Sequence, residues 1–223
     1  MPETKELVYI LFGWLLGIIG PGLIDRIRSK YRKGSVGNCL LVELAELKFR
    51  LAGTAYLAKD HRGTLDKPFI EWLHQIVKDY KGVYEKPERV GQYEEYLKLT
   101  DAQIKTASKL SSAKGGIGIS IKKYSLPFIE NNVSMLTLFN SSSLGMILEL
   151  QSQLSFFNQE IDNMRFYDQM MFNPGITPEN HGILKTNFSN SLEGVGKSCI
   201  RMVELIVKTE TSLRKSYFCL SKS

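Results

Sequence analysis

The chain is poor in the residue types that most active sites need. It holds three histidines and three cysteines among 223 residues. None of His61, His74 and His181 has a second histidine four residues away or an HExxH setting, which removes the common helical zinc sites. Cys39, Cys199 and Cys219 contain no CxxC pair and cannot form a full disulfide set, so reduced thiols in a cytosolic setting are expected. There is no GxSxG elbow for a serine nucleophile. Glu43 and Glu46, like Glu94 and Glu95, read as solvated helix faces. No cofactor, metal or catalytic residue is implied, and no enzyme class stands out.

Net positive charge is also small over most of the chain, although the formal total is +6. Arg26, Arg28, Lys30, Arg32 and Lys33 crowd into residues 25–33 against a single anion, Asp25. The excess is therefore a short stripe. The residues around Lys114, Lys122 and Lys123 are too few to make a broad basic face, and nucleic acid is not expected as a partner.

Phosphate-binding loops are matched only in fragments. In SLEGVGKS, residues 191–198, Gly196, Lys197 and Ser198 fit the end of GxxxxGK[ST], but Ser191 stands where the first glycine belongs. Such a loop follows a buried strand, and here ILKTNFSN runs into it with helical period. These glycines are expected to let another helix approach. Gly115, Gly116 and Gly118 have the composition of a phosphate cradle without the strand–loop–helix setting, and read as an inter-helix connection.

What the sequence does contain is an apolar run. Leu7 to Ile24, LVYILFGWLLGIIGPGLI, is 18 residues without a charge. As a helix it reaches ~27 Å, close to the ~30 Å hydrocarbon thickness of a bilayer. A cleaved signal peptide has cations before its apolar stretch and small residues after it. This run has the acidic-leaning MPETKE before it, the five cations behind it, and no A-x-A-like site. Lysine and arginine mark the cytoplasmic flank of a span. The expectation is a single N-terminal transmembrane helix in the inner membrane, with the N-terminus outside and the C-terminal domain in the cytoplasm. The basic residues would meet anionic lipid headgroups. Gly13 and Gly17 form a GxxxG pair continued by Gly20, a pattern that lets two helices approach closely in lipid. Pro21 is expected to kink or end the helix.

The remainder reads as helix almost throughout, giving an all-α fold divided into three parts. Residues 1–24 form the anchor, 25–38 a basic juxtamembrane stretch ending in a Gly/Ser hinge, and 39–223 a cytoplasmic helical bundle. Leu40, Leu41, Leu44, Leu47, Leu51, Ala55 and Ala58 recur at three- and four-residue steps, the period of an amphipathic helix. A second helix is expected from Lys67 to Tyr84 and a third from Glu88 to Ala113. KGGIGIS at 114–120 is a break, with a short extended piece at Ile117–Ile121. Heptads counted from Val133 through Leu136, Ile147, Leu150, Leu154, Phe157, Ile161 and Met164 to Met171 predict one helix over Leu126–Phe172. NPGITPEN then stops it and caps a last helix with Thr177 and Pro178. The two segments form a long antiparallel hairpin. Asn140, Ser143 and Asp168 interrupt the apolar seam and would either line a subunit interface or channel, or face water.

Two functions fit this layout. One is a membrane-anchored protein that self-associates and acts through protein interaction, in its stronger form as an oligomeric pore. Small bacterial antiviral effectors share that layout. The other is a membrane-tethered enzyme or ligand sensor with a site in the bundle near Gly115–Lys123. A large exposed apolar face would favour the first, and a pocket gathering several charged residues the second.

Overall fold

The computed structural model describes residues 3–82, 87–113 and 119–221, except for the side chains of 3–7, 10, 16, 87–90, 113 and 216–221. Among the described residues the chain is helical and has no strand. It divides into two compact units, Met1–Leu40 and Leu41–Ser223.

The first unit is a stretch of one helix, α1, which spans Glu3–His61. The expected hinge at 34–38 is not a loop: those residues continue the helix, and Pro21 lies inside it without ending it. Two glycines spread over five positions lower helix propensity by only about 1 kcal/mol each, too little to interrupt a helix formed on both sides. Over residues 8–27, α1 leaves its described apolar side chains open, whereas Val36 and Leu40 further along are buried. Phe12, Trp14, Leu15, Ile18 and Leu23 are 49% to 65% exposed.

The second unit starts with the remainder of α1. Leu44, Leu47, Leu51, Ala55 and Ala58 are buried at the expected spacing. The helix ends at His61, and in the turn that follows Gly63 adopts φ 66°. Thr64 N–H donates to the Lys59 carbonyl and Gly63 N–H to the Asp60 carbonyl, both at 2.9 Å. This left-handed turn satisfies the terminal carbonyls. A Cβ at Gly63 would lie 2.6 Å from Ser112 Oγ and 3.2 Å from Lys109 Cα. Gly63→Ala therefore combines a disfavoured backbone, about 1–2 kcal/mol, with a turned Ser112 side chain and a small shift of the helix that carries Lys109. The expected loss of roughly 2–4 kcal/mol is read from denaturant midpoints, and an unchanged midpoint would contradict the turn.

Helix α2, Lys67–Asp79, is capped by Asp66, whose carboxylate accepts from Phe69 N–H at 2.9 Å. It ends five residues before the expected Tyr84. Tyr80 turns extended instead, stacks on Phe49 with ring centroids 4.2 Å apart, and donates its hydroxyl to Glu46. Burying that ring on α1 outweighs another helical turn. The expected third helix is two helices, α3 Pro87–Leu97 and α4 Asp101–Ala113. The reason is a capping box at Thr100 and Gln103. Thr100 N–H donates to Gln103 Oε1 at 2.9 Å, and Gln103 N–H donates to Thr100 Oγ1 at 3.3 Å.

The single helix expected over Leu126–Phe172 is also divided. Helix α5, Pro127–Asn131, is followed by a 3₁₀ turn, Val133–Leu138, and then by α6, Ser141–Met171. Asn140 restarts the helix by accepting from Ser143 N–H at 2.8 Å. Within α6 the heptad reading holds: Ile147, Leu150, Leu154, Phe157, Ile161 and Met164 are buried. Val133, where the count begins, is 58% exposed. Helix α7, Pro178–Ser221, begins as expected, with Asn180 N–H donating to Thr177 Oγ1. It packs back along α6 as the antiparallel partner, and Ser143 pairs with Ser212 at 2.8 Å. Lys48 of α1 meets Glu210 of α7 at 2.6 Å.

Candidate functional site

The residues singled out in the sequence do not gather at one place. Gly13, Gly17 and Gly20 lie on α1 of the first unit, where an added Cβ would meet nothing within 4 Å. Arg26, Arg28, Lys30, Arg32 and Lys33 follow on the same helix, exposed or half-exposed. Asn140 is the α6 cap, and Ser143 is buried with its hydroxyl paired to Ser212. Asp168 is half-buried about 37 Å further along α6. Gly115, Gly116 and Gly118 fall outside the described residues.

The phosphate-loop fragment is the interior of α7. Lys197 pairs with Glu193 one turn back at 2.6 Å, and Arg62, in the turn after α1, joins the same carboxylate at 2.5 Å. A Cβ at Gly196 would come 3.2 Å from Ala58 Cβ, so this glycine lets α7 approach α1. The histidines stay apart. His61 packs edge-on to Phe188, His74 Nε2 lies 3.7 Å from Glu94, and His181 is exposed on α7. Among the described residues no three His, Cys, Asp or Glu side chains could hold a metal ion. Burial pushes the Cys199 thiol pKa up, which leaves it protonated and unreactive. Cys39 is exposed, and the Cys219 side chain is outside the description.

The second unit does gather polar groups where residues 119–126 cross α6. This segment has neither helix nor strand, so its main chain must find other partners. Asn158 supplies two: its Oδ1 accepts from Tyr124 N–H at 3.0 Å, and its Nδ2 donates to the Tyr124 carbonyl at 2.7 Å. Arg165 donates to the Ile121 carbonyl at 2.9 Å, and Lys123 pairs with Asp162 at 2.5 Å. The Tyr124 ring stacks on Phe157, its hydroxyl meets Thr54 at 2.8 Å, and burial raises its pKa, so it stays neutral. Beyond it, Glu43 caps α5 by accepting from Phe128 N–H at 2.7 Å and Ile129 N–H at 3.3 Å. Burial raises the Glu43 pKa, with the two backbone bonds opposing and Glu130 adding to the rise.

Next to this crossing lies an open groove of about 360 Å³. Gln151, Ser155 and Gln159 form one wall along α6, and Ser125 and Glu130 form part of the other. Reasoning from sequence passed over these residues because uncharged polar side chains at four-residue steps look like any solvated helix face. Their spacing was the available signal. A smaller pocket of about 210 Å³ sits under Gly196, rimmed by Lys59, Arg62 and Lys197, with Glu193 between the last two.

No family model, curated protein or solved structure matches this chain.

Proposed function

We propose that the chain is a single-pass protein of the inner membrane that self-associates and acts through protein interaction. In this reading Leu7–Ile24 is the anchor, the N-terminus lies outside, and residues 39–223 work in the cytoplasm. The supporting observation is the apolar surface of α1 in the first unit. A helix that is apolar all round needs a core or a bilayer to cover it. Phe12, Trp14, Leu15, Ile18 and Leu23 lie on different sides of the helix and remain about half or more exposed. Among the described residues no helix is long and apolar enough to cross a membrane. The 18-residue run includes Leu7, Ile10 and Leu16, whose side chains are outside the described set.

Self-association rests on Gly13, Gly17 and Gly20, which leave part of the α1 surface free of side chains. The test is the mass of the detergent-solubilised full chain by light scattering. A defined oligomer is expected, and Gly13→Leu with Gly17→Leu should reduce its mass while membrane insertion persists. An oligomer of unchanged mass would remove the glycine face from the account. A monomeric wild-type chain would remove self-association altogether. The stronger form, a ring of anchors that alters permeability, predicts ion conductance in liposomes.

A further inference from the structure

The crossing of residues 121–124 over α6 shows how this helix holds a peptide. Ile121, Lys123 and Tyr124 are bound by Arg165, Asp162 and Asn158 respectively, so the segment runs antiparallel to the helix. From 158 to 165 the helix rises ~10.5 Å. Three residues of extended chain cover ~10 Å, so the segment lies nearly straight along one stripe of α6. The main chain is held by side-chain amide and guanidinium groups.

Beside this crossing the groove presents a second polar row on the same helix. Gln151, Ser155 and Gln159 follow one another at four-residue steps, ~6 Å apart. That is close to the ~6.6 Å separating alternate residues of an extended peptide. Among the described residues, none of the three side chains makes a hydrogen bond within the chain, and each offers both a donor and an acceptor. Charge narrows the choice of occupant. The groove has two carboxylates, Glu130 and Asp162, against one ammonium, Lys123. Lys123 is already bound to Asp162, while among the described residues Glu130 accepts only the Leu126 N–H, at 3.2 Å.

We propose that this groove binds an extended, basic peptide segment of a partner protein, its main chain held by Gln151 and Gln159 and its cationic side chain by Glu130. This deepens the interaction reading by naming the partner's chemistry. It rests on that reading only in treating the bundle as an interaction module and does not require the anchor.

The experiment uses the full chain in detergent, titrated by fluorescence polarisation with pools of labelled acetylated hexapeptides. Each pool has one position fixed as lysine, glutamate or alanine. Saturable binding that prefers lysine pools is expected. Gln151→Ala with Gln159→Ala should weaken it at least tenfold, as expected for the loss of two hydrogen bonds. N-methylation of the bound peptide's main chain should have a similar effect, and Glu130→Gln should abolish the preference for lysine. Ser155→Arg, at an exposed position, should block the groove without altering the thermal melt, which covers the case of a glutamine pair that fails to fold. If no pool saturates, or if binding ignores these changes, the proposal fails. Loss of membrane association with intact peptide binding would instead overturn the anchor alone.

Discussion

Leu15→Lys combined with Ile18→Lys is expected to release the chain from membranes. The two positions straddle the middle of the apolar run, where each lysine costs about 2.5–3.5 kcal/mol and each lost Leu or Ile a few tenths more. Together they oppose insertion by roughly 6–8 kcal/mol, or a factor of about 10⁴ or more in partitioning. Leu15 and Ile18 are 49% and 59% exposed, so no core is disturbed. Carbonate-washed membranes separate the outcomes. The wild-type chain should remain in the pellet and the double variant should move to the supernatant with an unchanged far-ultraviolet spectrum. If the wild type washes off, or the variant stays, Leu7–Ile24 is no anchor.

The second large effect concerns the bundle. Phe157 is 1% exposed and stacks on Tyr124 with centroids 5.8 Å apart, while its neighbour Phe156 is 65% exposed. Truncating a buried phenylalanine costs about 3–5 kcal/mol through lost transfer energy and the cavity left behind. For a unit of this size that lowers the melting temperature by roughly 6–20 °C. Phe156→Ala should remain within about 0.5 kcal/mol of wild type. Thermal melts of the two variants compare the same chemical change one residue apart on one helix. Equal shifts would mean that the inward face of α6 is misassigned.

This pair also shows how far the sequence could be read. The heptad rhythm from Ile147 to Met164 picked out the buried face of α6 because burial of one stripe is a periodic property. The start of α7 was readable for a local reason, since Thr177 and Pro178 act within one turn. Breaks that depend on a single side chain were missed. Thr100 with Gln103 divides one expected helix, and Asn140 divides another, although both caps are local and have recognisable sequence signatures. The apolar rhythm continues across them and masks the interruption. The crossing beside the groove was not legible. Its geometry depends on Asn158 and Arg165 catching main-chain groups 34 and 44 positions earlier, and nothing in the spacing of polar residues reports such a pairing.

That long reach also orders events in time. A chain grows at about 5–20 residues per second. Asn158 is made 34 residues after Tyr124, so the crossing segment waits about 2–7 s for its holder, and Arg165 comes later still. Over that interval the main-chain groups of Ile121 and Tyr124 lack the Arg165 and Asn158 side chains that bind them. Glu43, by contrast, is already in place when Phe128 and Ile129 appear, so α5 can be capped at once. The crossing is therefore fastened in two steps, at Tyr124 when Asn158 is made and at Ile121 when Arg165 follows.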